Sequence, residues 1–383
     1  MQRIYLDYNA STPIAPQVAE VMHRMTGEAF GNPSSNHWAG RPARPAVETA
    51  RGQVATLLGC SPEEIVFTSG GSEANNFALK GLFFAKPREH AHIITTQVEH
   101  PAIVEPCRFL ERLGARITWL PVDASGRVDP EDLRRAITAE TLLVTVMHAN
   151  NEVGTIQPIA ECAAIAREHG VPFHTDAAQS VGKIPTRVDD LGVDLLTLAG
   201  HKFYGPKGVG ALYARAGTAL EPLIHGAAHE SGRRAGTESA LLAAALGEAS
   251  TLAGDLAPMQ AVKTLRDRLR DALSAELGAQ VVFHGHPECI LPNTLNVSFL
   301  GATGAEVLAG LEGVAASTGS ACHSGRVELS PVLHAMGVRP ETGQGAVRFS
   351  LGRETTAAEV DAVLRRIARA SWRRARTPVW AAP

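Results

Sequence analysis

Apolar positions along the chain fall into short unbroken runs separated by stretches with helical spacing. Residues 3–8, the run beginning EIVFT at 64, HIITTQ at 92–97, RITWLPV at 116–122, LLVTVMHA at 142–149 and the run from Leu195 to Ala199 read as strands. Between them, helices are predicted from near Pro16, from Val47 through Ala50, Val54 and Leu57 to Leu58, after Gly71, up to Arg112, near 130–137 and over 158–169. This alternation predicts an α/β fold with a mostly parallel sheet flanked by helices. Beyond a break near Gly254 the pattern changes. Val262, Leu265, Leu269, Leu273 and Leu277 mark a long amphipathic helix, TLNVSF at 294–299 and AVRFSL at 346–351 read as strands, and Thr356 with Glu359 forms a capping box for a last helix. The expected division is a large domain over 15–255 and a smaller α+β domain built from 1–14 and 256–383.

Composition narrows the class of function. A chain of 383 residues can bury a large core, and a formal net charge of −3 gives no sign of nucleic-acid or membrane affinity. The five cysteines are widely spaced and contain no CxxC pair, so neither a disulfide framework nor a metal site is expected, and a reducing cytoplasm fits. The N-terminus has no basic segment followed by an apolar core, and no apolar run is long enough to span a bilayer, so a soluble cytoplasmic protein acting on a small molecule is expected.

The candidate chemistry gathers at strand ends. Lys202 sits between the buried run 195–199 and a turn punctuated by Gly205, Pro206, Gly208 and Gly210. Desolvation there would lower the amine pKa and suit it to Schiff-base chemistry, the plain alternative being a surface loop lysine. Gly70, Gly71 and Ser72 stand at a helix start, which could bind an anion or simply be an ordinary N-cap. Asp176, with Gln179 three residues later, ends a short strand over 172–176. It could cap a helix, or hold a pyridinium nitrogen protonated. Cys322 lies among Ser, Gly, Ala and His in a segment that reads as an exposed loop, which leans toward a reactive thiol over a packed one.

Taken together, YLDYNASTP, FGNPSSNHWAGR, FTSGGSEANN, EHPAI, HANNEVG, HTDAAQSVGK, GHKFYGPKGVGALY, RRAGTES, LPNTLNVSF, GSACHS and RFSLGRETT resemble the cysteine desulfurases, fold-type I pyridoxal phosphate enzymes of the aminotransferase class V group. The short GSACHS segment is similar to the first class of that family. The resemblance implies that Lys202 is the Schiff-base lysine, that Asp176 pairs with the pyridine nitrogen, that His100 stacks on the ring, and that Asn151 and Gln179 bond the ring oxygen. It places the phosphate on Ser72, the amides after Gly71, and His201, with Thr237 arriving from the second subunit of a homodimer. Arg348, helped by Asn32, would hold the substrate carboxylate. Cys322 would accept sulfur from L-cysteine and pass it to an acceptor protein.

Two departures from the family pattern bear on these roles. Ala199 stands where a serine often precedes GHK, which removes one phosphate hydroxyl. ACHS and SPVL resemble selenocysteine lyases. The basic tail after Ala370 is short for a desulfurase that docks an iron–sulfur scaffold. The expected activity is conversion of L-cysteine to L-alanine with a persulfide on Cys322. A selenocysteine lyase and a catalytically inactive binding module are the alternatives.

Overall fold

A computed structural model describes residues 3–86, 90–318, 322–323, 326–327 and 329–370. Its centre is a seven-stranded sheet with spatial order Ile65–Thr68, Gly210–Ala214, Leu195–Ala199, Phe173–Asp176, Thr141–Thr145, His92–Thr96 and Arg116–Leu120. The last five of these run parallel to one another, while Gly210–Ala214 is antiparallel to both strands beside it. Most strands are buried along their whole length, which explains why they read as continuous apolar runs without alternation. Helices cover both faces. Ala43–Leu58 and Ala240–Ala253 pack together over one side through Ala50, Val54, Leu246 and Ala249, and Gly71–Ala85 with Pro101–Glu111 covers the other through Phe77, Leu82, Ile103 and Leu110.

A four-stranded antiparallel sheet follows, ordered Ser317–Thr318, Ala346–Ser350, Thr294–Phe299 and Val281–His284. Its core is separate: Leu269, Leu273 and Leu277 of helix Pro258–Leu277 meet Val297, Phe299, Val347 and Phe349 of the sheet and Val360, Val363 and Ile367 of helix Ala357–Arg369. The capping box forms, with the Glu359 amide donating to the Thr356 hydroxyl and the Thr356 amide to the Glu359 carboxylate. The chain's beginning joins this core. Ile4–Tyr5 pairs in parallel with Val314–Ala315, and Ile4 and Leu6 are buried in it.

Several boundaries shift from those the apolar pattern predicts. Helix Ala240–Ala253 lies in a stretch the pattern above leaves unassigned, and it begins where the Ser239 hydroxyl accepts from the Leu242 amide and ends the preceding loop. The runs at 116–122 and 142–149 stop as strands at Leu120 and Thr145, and the strand Val281–His284 was not marked by its sequence. Cys322–His323 pairs antiparallel with Arg326–Val327, a two-stranded ribbon where a loop was expected; the Cys322 side chain lies outside the described residues. Among the described residues, no single helix is long and apolar enough to cross a membrane.

Candidate active site

The parallel strands end along one edge of the large sheet, and the residues just past those ends face a common cavity. Gly71, Ser72, Asn75, His100, Asn151, Asp176, Gln179, His201 and Lys202 all line it, with Met147, Ala149 and Ala199 as apolar walls. This is the edge at which open α/β sheets bind ligands.

Lys202 is carried by the turn Gly200–Lys202 directly after the strand ending at Ala199. Gly200 allows that turn to pack closely: a Cβ there would meet Leu246 Cδ1 at 3.0 Å and the Val209 carbonyl at 3.2 Å. The Lys202 amine donates to the backbone carbonyls of Asn9 at 2.7 Å and Ala10 at 3.1 Å. Burial lowers its pKa to about 8, helped by the Arg348 cation and opposed by Asp176 and Asp7. His201 is held near 4 by burial and by the lysines around it, so it is a neutral ring, with Nδ1 3.3 Å from the Ser11 hydroxyl.

Asp176 is buried at its strand end and held from two sides. Asn75 Nδ2 donates to Oδ2 at 2.7 Å, and the Ala178 amide donates to Oδ1 at 2.9 Å. Asn75 Oδ1 is itself buried without a hydrogen-bond partner. His100 stands at the start of helix Pro101–Glu111 and accepts the Ala102 amide on Nδ1 at 3.0 Å, which puts the proton of the neutral ring on Nε2. Desolvation lowers its pKa, with Asp176 opposing the shift and Lys202 adding to it.

The helix Gly71–Ala85 points its amino end into the same space. Helix geometry leaves the amides of Gly71, Ser72 and Glu73 without intrahelical acceptors, and the turn into them needs φ of 147° at Gly70, a conformation glycine adopts freely. Glu73 is occupied elsewhere. Its carboxylate accepts from the Ser69 amide and from Arg234 at 2.9 Å, so it presents little free negative charge to an anion at this helix start.

Arg348 projects from the small sheet toward this edge. Nη1 donates to the Asn151 carbonyl at 2.8 Å, while Nη2 meets Asp7 Oδ1 at 2.8 Å and the Ser317 hydroxyl at 3.1 Å. Its Nε is buried and unpartnered. Gln179 donates from Nε2 to the Asn9 carbonyl at 3.0 Å and accepts the Lys183 amine on Oε1 at 3.1 Å.

The strand-end residues singled out in the sequence therefore converge. Asn32 and Thr237 are exposed and neither is among the cavity-lining residues of this chain; Asn32 Oδ1 accepts from the Ser34 amide. Sequence reasoning missed Asn75, one helical turn past Gly71, and Asp7 and Asn9, which lie in the DYN stretch just before the first turn. Asn9 is a buried hub: its amide donates to the Ser350 hydroxyl, Nδ2 to the Thr294 hydroxyl, and Oδ1 accepts from Asn293.

The family model for aminotransferase class-V matches residues 4–363. A curated cysteine desulfurase IscS from Dictyoglomus turgidum is 48% identical over 368 residues, covering 95% of this chain and 93% of that protein. Among solved structures, a NifS-like protein superposes with a TM-score of 0.90 at 38% identity, covering 96% of this chain and 99% of that one. SspA in complex with cysteine gives 0.82 at 38% identity, with 92% of this chain and 100% of that chain covered. With the family model spanning nearly the whole length, and relatives this similar from end to end, the chain belongs to the aminotransferase class-V family.

Proposed function

We propose that the chain is a pyridoxal phosphate-dependent cysteine desulfurase that converts L-cysteine to L-alanine and takes the sulfur onto Cys322 as a persulfide, for delivery to an acceptor protein. The observation that carries this reading is one cavity holding a lysine amine with a pKa near 8, a buried carboxylate and an amide-lined helix start. Those three groups match an aldehyde, a pyridine nitrogen and a phosphate. Relatives and structural neighbours described as cysteine desulfurases or NifS-like proteins, and one neighbour bound to cysteine, favour sulfur over selenium.

When bound, pyridoxal phosphate supplies an electron sink for negative charge at the substrate α-carbon. The residues of the chain do the rest. Asp176, oriented by Asn75 and the Ala178 amide, would hold a proton on the ring nitrogen. The neutral His100 ring would stack against the cofactor, and Asn151 and Gln179 would face its ring oxygen. The amides at Gly71 and Ser72, with His201 and the partner subunit's Thr237, would bind the phosphate. Without a hydroxyl at Ala199 this cradle rests more heavily on backbone amides.

Lys202 would remove the α-proton as a neutral amine and return it as the ammonium. The unpartnered Nε of Arg348 supports a role in holding the substrate carboxylate, since a guanidinium grips such a group with two parallel bonds. Asn32 would assist. The Cys322 thiolate then attacks the substrate sulfur: a sulfur–sulfur bond forms, the carbon–sulfur bond breaks, and its electron pair stays with carbon, which is protonated to alanine. We also propose a cytoplasmic homodimer with a large cofactor-binding domain over 15–255 and a small domain from the remaining residues. Lys202→Ala tests the assignment: alanine formation from L-cysteine is expected to vanish while the fold persists, and a variant with wild-type alanine production contradicts it.

A further inference from the structure

Lys183 is buried beside the cavity and belongs to none of the roles above. Its amine donates to the Gln179 backbone carbonyl at 2.9 Å and to Gln179 Oε1 at 3.1 Å. Burial, then the cations of Lys202 and Arg348, lowers its pKa to about 7. A buried lysine is costly to keep, so its contacts call for a reason.

The reason lies in the amide it grips. A glutamine side chain has an accepting end and a donating end, and the two differ little in shape. The Lys183 amine presents donors to one end of Gln179, and the Asn9 carbonyl presents an acceptor to the other at 3.0 Å. The two neighbours therefore select one orientation, with Oε1 toward Lys183 and Nε2 toward Asn9. The same Asn9 carbonyl receives the Lys202 amine at 2.7 Å, so Gln179 Nε2 is held next to the reactive lysine. Without Lys183 the orientation rests on the Asn9 carbonyl alone, and the amide is less firmly held against turning an acceptor toward the space where a donor now stands.

We propose that Lys183 is a positioning residue that locks the Gln179 amide so that the cavity presents an N–H donor to the electron-rich ring oxygen of the cofactor. This inference rests on the cofactor reading given above. Losing Lys183 loosens the amide, which weakens the stabilisation of negative charge on the ring oxygen, so the pH at which the bound cofactor changes absorbance moves upward.

The test is a double-mutant cycle on the cofactor-loaded enzyme, comparing wild type, Lys183→Met, Gln179→Leu and the double variant by absorbance titration and by pyridoxal phosphate affinity. Lys183→Met is expected to raise the absorbance midpoint by about half a unit or more and to weaken affinity by about tenfold, the equivalent of one hydrogen bond. The double variant is expected to match Gln179→Leu. An unchanged midpoint in Lys183→Met, or effects of the two substitutions that simply add, overturns the proposal. Gln179→Leu guards against a Lys183 variant that does not fold, because an unchanged midpoint in Gln179→Leu overturns the proposal by itself. Wild-type protein that takes up no pyridoxal phosphate would overturn the functional reading and this inference together, whereas normal uptake with unresponsive variants overturns the inference alone.

Discussion

Only a neutral amine attacks a carbonyl, so the pKa of Lys202 sets how fast cofactor-free protein captures pyridoxal phosphate. With the pKa near 8, about a tenth of the amines are neutral at pH 7; at the ordinary value of 10.5 the fraction would be about 0.03%. The site thus gains a few hundredfold in reactive amine. Burial is the largest cause, Arg348 the next, and Asp176 with Asp7 pulls the other way. Stopped-flow uptake of pyridoxal phosphate between about pH 6 and about pH 10 reads this directly. The logarithm of the rate is expected to climb with unit slope to about pH 8 and then flatten. Arg348→Met removes a cation and should move the break upward, while Asp176→Asn removes an opposing carboxylate and should move it downward. A rate that keeps climbing past about pH 9.5 with no break would refute the argument that burial lowers this amine.

Two further outcomes follow from contacts outside the reacting groups or at the substrate end. Glu230 is buried and accepts both Arg51 Nη1 at 2.7 Å and Nη2 at 2.9 Å, besides the Phe67 amide at 2.9 Å. Glu230→Ala leaves the buried guanidinium with only the exposed Glu48 carboxylate and the Ile65 carbonyl and should cost about 3 kcal/mol in urea unfolding, with part of the loss recovered in the double variant Arg51→Met, Glu230→Leu; a loss within about 0.5 kcal/mol would show that the pair does not matter. Arg348→Ala should raise KM for L-cysteine steeply while the bound cofactor's absorbance stays at its usual wavelength, and an unchanged KM would remove Arg348 from the substrate site.

The fold was legible where burial is uniform. Leu195–Ala199 and Thr141–Thr145 are covered on both faces, so they appear in sequence as unbroken apolar runs, and the residues just after such runs must emerge at one edge. That is why Lys202, Asp176 and Ser72 could be picked out and do face one cavity, which His100, named only through the family resemblance, also lines. The small sheet was harder. In Val281–His284 only the end residues are buried and Val282 is exposed, too short a pattern to stand out.

The supporting residues were invisible for a different reason. Asn9 meets Ser350 and the amine of Lys202, and Asp7 meets Arg348, contacts made between residues far apart in the chain that leave no local periodicity. Lys183 looked like any turn lysine, because its burial comes from the surrounding elements and not from its own sequence neighbours. Tyr204 is similar: it holds a φ of 70°, and its amide donates to the Thr12 hydroxyl, a link no local rule anticipates.

The central claim is that sulfur leaves L-cysteine for a thiol of this chain. Cofactor-loaded enzyme incubated with L-cysteine in the absence of reductant and acceptor protein tests it most directly, with alanine counted against intact-protein mass. The expected result is about one alanine per active site and a matching gain of one sulfur atom, lost again on adding a thiol and absent in Cys322→Ala. Cofactor-loaded protein that forms no alanine, or that forms alanine with no sulfur carried on the chain, would contradict the account.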